Sequence, residues 1–279
     1  MKKALLIFVV VAMVAVSAMA MVACNGNDKI IVQTNAYFAP FEYFEGTNIV
    51  GVDVEIMQKV GEKLGKEVEF VNNEEFSQII PLVQEGKVCD AGAAGLTITE
   101  ERKAKVDFSI PYYTSVQYVV YKEGDFETQK ATNGVDCIMW SDLAGKKIGV
   151  QLDTTGMIYT DIEINGDGDY VGELAGTGAE CVPFSNAQLA AEAIGLQIDC
   201  VVVDELPAKY LTKNGKYKCA ALYYDADTAT EEQYAVAVTK GNTELLNAIN
   251  EVLTEMLNTK DGNGKDQIQL LVEKHLGLN

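Results

Sequence analysis

Short apolar strands alternate with amphipathic helices along this chain, and the alternation occurs in two separate stretches. In the first stretch we predict strands at residues 29–34, 68–71 and 90–94. Helices are predicted after Asp53 and after Ser77, because both residue types are good helix N-caps. The second stretch has predicted strands at residues 147–150, 181–184 and 199–204 and predicted helices from 154 onward and over 188–196. Strand–helix alternation implies parallel βαβ units, so we expect two α/β lobes.

Two extended segments connect the predicted lobes. Residues 114–121 are rich in Val and Tyr, and residues 233–239 form the second segment. The chain therefore leaves the first lobe and returns to it, which predicts a hinge of two strands. We expect residues 29–113 with 235–279 to form lobe 1 and residues 114–234 to form lobe 2.

An apolar stripe marks a long helix after the return, and a shorter helix is predicted over residues 265–276. The stripe consists of Leu245, Leu246, Ile249, Val252, Leu253, Met256 and Leu257. Such a face must be buried, either in a dimer zipper or against lobe 1. We adopt packing against lobe 1 and expect a monomer.

The first residues are typical of an export signal. Lys2 and Lys3 precede an apolar run that ends at Ala23, and Cys24 follows directly. This arrangement resembles a bacterial lipoprotein processing box, which implies a signal peptide over residues 1–23, a lipid on Cys24 and a flexible tether over 24–28. Simple secretion and an uncleaved anchor are the alternatives. We expect a folded part anchored to the outer face of the cell membrane, or in the periplasm if the host has an outer membrane.

Composition excludes several functional classes. The formal net charge is −19 and no basic stripe is present, which argues against nucleic acid binding. The only histidine is His275, so neither a Ser/His/Asp triad nor a histidine-rich metal site is expected. No two cysteines form a CxxC pair, which weakens metal and disulfide-scaffold interpretations. We expect no metal and no cofactor.

Several motifs in a fixed order carry a family resemblance. They lie at residues 39–43, 50–54, 76–77 with 80–82, 97–102, 149–151 with 154–156, and in the strand ending at Asp204. In these motifs the chain resembles the extracellular solute-binding proteins of polar amino acid ABC transporters. The resemblance implies the type II periplasmic-binding-protein fold, in which two α/β lobes close over a ligand. It also implies delivery of a free amino acid to a membrane permease with a cytoplasmic ATPase.

The resemblance assigns the charged groups of a bound amino acid to named residues. Arg102, the only arginine, is implied to grip the carboxylate with its planar guanidinium, and the backbone N–H groups of Thr97 and Thr155 are further donors. Asp204 is the implied partner of the ammonium group, with the carbonyl of Gly95 and the Thr97 hydroxyl. As an alternative, Asp204 caps the following helix.

Other residues of the implied site surround the ligand side chain. Phe38 and Phe76 match two aromatic walls of the family, although core packing also accounts for them, and Phe76 can be a hydrophobic staple before a Ser77 cap. Ala94 and Thr154 belong to the same implied site. The residues expected to set side-chain specificity are Asn35, Glu42, Glu75, Gln151 and Glu205.

These residues narrow the class of ligand that the site can bind. None of them is a lysine or arginine, which disfavours glutamate and aspartate. Asn35 stands where many relatives carry Asp, so a cationic ligand lacks one obvious partner. An uncharged polar amino acid is slightly preferred, and arginine, lysine and cystine stay open.

The sequence contains one departure from the family pattern at a turn and one loop with a calcium-like spacing of oxygens. Asp153 replaces a glycine common in this turn of the family, although Asp tolerates turn geometry well. Residues 161–169 space oxygens like a calcium loop, but Gly172 occupies its twelfth position, so we expect a solvated loop.

Two rival functions stay open at this point. One is a dehydratase-like enzyme on the same fold, with Glu42, Glu75 or Glu205 as general acid, and the other is a membrane-tethered amino acid sensor.

Overall fold

The computed structural model of the protein describes residues 29–278. The first part contains β1 (Lys29–Thr34), β2 (Tyr37–Phe38), β3 (Glu42–Glu45), β4 (Asn48–Val50), α1 (Val52–Leu64), β5 (Glu67–Asn72), α2 (Ile79–Glu85), β6 (Ala91–Gly92), α3 (Glu100–Lys103) and β7 (Asp107–Phe108). The middle part contains β8 (Tyr113–Tyr121), β9 (Gln129–Lys130), β10 (Asp136–Met139), β11 (Lys147–Gln151), α4 (Thr155–Asn165), β12 (Glu180–Phe184), α5 (Ala187–Glu192), β13 (Cys200–Asp204), α6 (Glu205–Thr212), β14 (Lys218–Asp225), β15 (Thr228–Ala229) and β16 (Glu231–Tyr234). The last part contains β17 (Ala237–Val238), α7 (Thr243–Asn258) and α8 (Gln267–Leu276).

The first lobe is built around a mixed sheet with strand order β5-β1-β6-β17-β7. Strand β1 pairs in parallel with β5 and β6, as expected for βαβ units, whereas β17 pairs antiparallel with β6 and β7. The late strand β17 therefore completes a sheet that the first part of the chain begins. A separate small sheet, β2-β3-β4, lies in the same lobe.

The second lobe is built around a larger sheet with the order β12-β11-β13-β8-β14-β10-β9. Strand β11 pairs in parallel with β12 and β13. The carboxyl ends of β11 and β13 therefore lie at the same edge, where open α/β sheets bind ligands. Gln151 and Asp204 are the last residues of these two strands.

Two strands cross between the lobes. The first half of β8 pairs antiparallel with β16, from Tyr113 opposite Tyr234 to Val116 opposite Glu231. The second half of β8 pairs with β13 and β14 inside the second sheet. Beyond β16, the N–H of Ala235 donates to the carbonyl of Leu96 in the first lobe. Thus the predicted architecture of two α/β lobes joined by two strands is present.

The predicted N-cap roles of Asp53 and Ser77 are wrong. Helix α1 begins at Val52 after Gly51, and Asp53 lies buried in its first turn. The Asp53 carboxylate instead accepts hydrogen bonds from the Gly95 N–H, at 2.9 Å, and from the Tyr112 hydroxyl, at 2.6 Å. Ser77 lies inside a 3₁₀ turn that precedes α2. In both cases tertiary contacts or a tighter first turn replace the expected local cap.

The predicted strand over residues 90–94 is shorter in the structure. Only Ala91 and Gly92 pair with β1 and β17. The chain then leaves the sheet and carries Ala94, Gly95 and Thr97 to the space between the lobes.

The apolar stripe of the long C-terminal helix packs against the first lobe, as we predicted over the dimer zipper. Leu245, Ile249, Leu253 and Met256 of α7 are buried in one core with Ile56 of α1. Within residues 29–278, no helix combines the length and apolar character needed to span a membrane.

Candidate ligand-binding site

A cavity lies between the lobes. All residues inferred from the sequence to contact the ligand line it, except two of the residues expected to set side-chain specificity. The lining consists of Asn35, Phe38, Glu42, Phe76, Ala94, Gly95, Thr97, Arg102, Gln151, Thr154, Thr155 and Asp204. Glu75 is exposed and Glu205 pairs with Lys209, so these two lie outside the cavity.

Arg102 is held in the cavity wall by carbonyls of both lobes. Its Nη1 donates to the carbonyl of Thr97 at 2.9 Å, and its Nη2 donates to the carbonyl of Asp153 at 3.3 Å. Burial lowers the pKa of the guanidinium, and the Glu232 and Asp204 carboxylates oppose that effect. An arginine stays protonated under such conditions, so Arg102 presents a fixed cation with further N–H donors.

Asp153 adopts a left-handed backbone conformation, with a φ of 62°. This is the conformation for which glycine is the common choice at a turn, and aspartate tolerates it better than most residues. The turn therefore keeps its shape and directs the Asp153 carbonyl at Arg102.

Thr97 and Thr155 meet across the cleft. Thr97 follows the first sheet, whereas Thr155 opens helix α4 of the second lobe, and their Oγ1 atoms lie 3.4 Å apart. Each hydroxyl also donates to Oε2 of Glu232 at 2.6 Å. An N–H at the start of a helix favours anions, so the position of Thr155 suits a carboxylate.

Asp204 is buried and does not cap the following helix. It occupies the N-cap position of α6, but its side chain makes no capping hydrogen bond. Instead Oδ1 accepts a hydrogen bond from Nε2 of Gln117 at 2.9 Å, and the same nitrogen donates to Glu232. Burial, followed by the nearby Glu232 carboxylate, raises the pKa of Asp204 well above its usual range. A cation next to Asp204 would offset both effects.

The two aromatic residues lie at different parts of the wall. Phe38 stacks on Phe41, with ring centres 6.0 Å apart, and Phe76 lies under the Arg102 guanidinium. Gly95 brings the backbone close to Phe38: its φ is +53°, and a Cβ there would lie 2.7 Å from the Phe38 ring. Only glycine meets both demands, because other residues strain at positive φ and would collide with the ring.

Glu42 is the least compensated charge of the cavity. It is fully buried, and neither carboxylate oxygen makes a hydrogen bond to any residue in 29–278. It is the register partner of Phe38 in the β2–β3 hairpin. Burial raises the pKa of Glu42 well above its usual range, and the Asp53 and Asp204 carboxylates raise it further.

Asn35 and Gln151 bridge the lobes and leave one acceptor in the cavity. Gln151 Nε2 donates to Asn35 Oδ1 at 3.2 Å, and Asn35 is itself oriented by donating to the carbonyl of Asn73 at 2.7 Å. The other amide atom, Gln151 Oε1, is buried and has no partner among the described residues. The cavity wall therefore offers unpaired acceptors from Gln151 and Glu42.

Two residues that support the site, Gln117 and Glu232, are missing from the sequence-based assignment. Both are buried on the crossing strands β8 and β16. The alternating pattern of β16 contained a signal, because Glu232 is two residues before the buried Tyr234 and shares its face.

The calcium interpretation gains no support from residues 29–278, where no three His, Cys, Asp or Glu side chains are arranged to hold a metal ion. Helix α4 extends to Asn165, and the carboxylate of Glu163 accepts a hydrogen bond from the Tyr170 hydroxyl. Among the described residues, no disulfide joins any two of Cys89, Cys137, Cys181, Cys200 and Cys219.

Comparison with known protein families gives a match over most of the chain. Residues 30–266 match the model of the bacterial extracellular solute-binding proteins, family 3. The arginine-binding extracellular protein ArtP of Bacillus subtilis is 40% identical over 128 residues, a stretch that spans 46% of each protein. The L-cystine-binding protein TcyJ of Escherichia coli is 28% identical over 252 residues, which cover 90% of this chain and 83% of that protein.

Solved structures agree with this assignment. An ancestral arginine-binding protein bound to arginine is 34% identical, with a TM-score of 0.69 over 89% of this chain and 98% of that one. The amino acid transporter substrate-binding protein AbpA of Streptococcus pneumoniae, bound to L-arginine, has a TM-score of 0.73 at 26% identity and covers 90% and 95% of the two chains. The predicted type II fold is thereby confirmed. The prediction of a solute-binding protein of an amino acid ABC transporter, rather than an enzyme, is confirmed as well. The chain belongs to the bacterial extracellular solute-binding proteins, family 3.

Proposed function

We propose that this protein captures a cationic amino acid, with arginine as the preferred ligand, and delivers it to an ABC permease. The observation that carries the proposal is the buried Glu42 carboxylate, which has no hydrogen-bond partner among the described residues. A buried charge without a partner is costly, and a guanidinium or ammonium group of a ligand would supply one.

The acceptors in the wall favour a ligand side chain made only of donors. The unpaired oxygens of Glu42 and Gln151 can only accept hydrogen bonds, so they favour a ligand group made of donors. A guanidinium offers five N–H donors and no acceptor. A glutamate side chain would add a third set of acceptors. The sequence alone slightly favours an uncharged polar ligand, and the two buried acceptors now favour a cationic one.

In this proposal, other residues of the cavity wall bind the carboxylate and the ammonium group, which all free amino acids share. Arg102 and the N–H groups of Thr97 and Thr155 bind the carboxylate in this proposal. Asp204 binds the ammonium group, helped by Gly95 and the Thr97 hydroxyl. Ala94 and Thr154 complete the wall, and Phe38 and Phe76 flank the ligand side chain.

The relatives support this ligand class without fixing the ligand. ArtP is an arginine-binding protein and the structure of AbpA contains L-arginine, whereas an ancestral arginine-binding protein also has a structure with glutamine, at 34% identity and a TM-score of 0.70. Another relative is described as a cystine-binding protein. Our preference for a cationic over a neutral ligand therefore rests on the side chains of this cavity.

Binding is proposed to close the two lobes over the ligand. Lobe 1 would comprise residues 29–113 and 235–279, lobe 2 residues 114–234, and the hinge the crossing strands. Hydrogen bonds already join the lobes outside the ligand contacts, including Gln188 Nε2 to the carbonyl of Tyr37 at 2.7 Å. A ligand that contacts both lobes shifts the equilibrium to the closed form.

Export and anchoring complete the proposal. Residues 1–28 lie outside the described residues, so the signal peptide over 1–23, the lipid on Cys24 and the tether over 24–28 rest on the sequence. The anchored monomer would meet the permease and its cytoplasmic ATPase at the membrane. Growth with radioactive palmitate, followed by comparison of wild type and Cys24→Ser, tests the anchor.

The ligand proposal is tested by calorimetric titration of the purified protein with arginine, lysine, citrulline, glutamine and glutamate. Citrulline is the matched control, because it has the shape of arginine without the charge. We expect arginine to bind at least tenfold more tightly than citrulline and glutamate not to bind, since one buried charge pair is worth more than about 1.4 kcal/mol. Equal affinities for arginine and citrulline would contradict the proposal.

A further inference from the structure

Glu232 lies at a point where both lobes and the hinge converge. It belongs to the crossing strand β16, and its side chain is buried. One carboxylate oxygen, Oε2, accepts a hydrogen bond from Thr97 and another from Thr155, each at 2.6 Å. The second oxygen accepts from Nε2 of Gln117, on the neighbouring crossing strand β8.

The two threonines come from opposite lobes. Thr97 follows the first sheet and bridges to Tyr234 of β16, whereas Thr155 is the first residue of helix α4 in the second lobe. A single oxygen can bind both hydroxyls only while they lie close together, and their Oγ1 atoms are 3.4 Å apart. The arrangement is therefore specific to closed lobes.

We propose that Glu232 is a positioning residue that holds Thr97 and Thr155 together, so that their backbone N–H groups converge on the ligand carboxylate. Glu232 is not among the residues that line the cavity. Its two oxygens are occupied by three donors, so it acts through the threonines and Gln117 rather than by touching the ligand. The inference rests on the proposed binding of a free amino acid, but not on the identity of its side chain.

Glu232→Gln is the direct test, because the amide keeps the size of the side chain while turning one acceptor into a donor. The new NH₂ group would face either Gln117 Nε2 or the two threonine hydroxyls. Glu231→Gln is the matched control, since Glu231 is exposed on the same strand. Both variants are compared with wild type by calorimetry, and by X-ray scattering with and without the amino acid that binds wild type.

We expect Glu232→Gln to weaken binding by about tenfold or more and to leave the ligand-free protein more open than wild type. The ratio of arginine to citrulline affinity should stay unchanged, because both ligands share the carboxylate. The control should match wild type. Wild-type affinity and compactness in Glu232→Gln would overturn the inference, and so would a loss of thermal stability without any change in affinity.

Thr155→Val gives a second test that does not depend on the folding of Glu232→Gln. It removes one hydroxyl donor and keeps the backbone N–H. It should weaken binding in the same direction, and the double variant should lose less than the two single losses combined, because both act on one hydrogen-bond network. Unchanged binding in Thr155→Val would overturn the inference. If wild type binds no amino acid, the proposed function fails, and the ligand-free compactness of the variants still tests Glu232.

Discussion

The guanidinium carbon of Arg102 lies 5.4 Å from the centre of the Phe76 ring. This cation–π contact joins α3 to the 3₁₀ turn before α2, and it adds to the two carbonyls that hold the guanidinium. Arg102 is therefore oriented by one ring and two carbonyl groups. A pre-oriented cation loses little conformational freedom when it binds a carboxylate.

Arg102→Lys should weaken binding of the preferred amino acid by about a hundredfold or more, because an ammonium cannot reproduce the planar pair of N–H donors. The control is Lys103→Ala, which removes an exposed cation from the next position. Calorimetry measures the affinity, and circular dichroism checks that both variants fold. Wild-type affinity in Arg102→Lys would refute the assignment of the carboxylate to Arg102.

Gly95→Ala should lower both stability and affinity, because the new methyl group would lie 2.7 Å from the Phe38 ring at a φ of +53°. The matched control is Gly46→Ala, which has a φ of +64° and no atom within 4 Å of the added Cβ. Both variants should lose about 1 kcal/mol of unfolding free energy from backbone strain, and Gly95→Ala should lose more from the collision. Only Gly95→Ala should bind ligand more weakly. Equal affinities in the two variants would show that Phe38 is not part of the binding wall.

Arginine binding should release more protons than citrulline binding. Burial raises the pKa of Glu42 well above its usual range in the free protein. A bound guanidinium favours the ionised carboxylate and lowers the pKa of Glu42, so binding expels a proton. The affinity for arginine therefore rises with pH between the pKa of Glu42 in the complex and its pKa in the free protein. Calorimetry near neutral pH in two buffers of different ionisation enthalpy measures the proton count. In Glu42→Gln the difference between the two ligands should vanish, and equal proton release by wild type with both ligands would argue against the Glu42 assignment.

Asp53 should make the protein less stable as the pH rises. Burial raises its pKa from the ordinary 3.8 to about 6, although hydrogen bonds from Tyr112 and Gly95 partly offset the effect. Between those values the folded state binds protons more tightly than the unfolded chain. This contribution to stability is therefore fully present below about pH 4 and is lost as the pH passes 6, a total of about 3 kcal/mol. The unfolding free energies of wild type and Asp53→Asn are measured at pH 4 and at pH 7. The value for wild type minus the value for Asp53→Asn should fall by about 3 kcal/mol from pH 4 to pH 7. A difference that does not vary with pH would exclude this role.

Much of the fold was predictable because hydrophobic patterns report burial directly. Strands β1, β5, β11, β12 and β13 lie where apolar runs predicted them. The N-cap roles of Asp53 and Ser77 were wrong because local propensity cannot show a distant partner such as Tyr112. The short strand β6 was overestimated because its small residues look the same whether they pair in a sheet or approach a cavity.

The site shows the same limit. Arg102 and Asp204, which both line the cavity, could be named from the sequence because their motif and strand positions mark them. Glu232 was missed because adjacent acidic residues are typical of a solvated surface, and only the pairing of β16 with β8 buries one of them. Glu42 was named from the sequence. That its carboxylate has no hydrogen-bond partner within residues 29–278, which bears on the charge of the ligand, could be seen only in the surrounding structure.

The charge preference of the cavity is the central claim, and one comparison tests it most directly. Arginine and citrulline are titrated into wild type, Glu42→Gln and the control Glu45→Gln, whose side chain is exposed on the same strand. We predict a preference for arginine of about tenfold or more in wild type and Glu45→Gln, and its loss in Glu42→Gln. An arginine preference that survives in Glu42→Gln, or that is absent from wild type, would contradict the account.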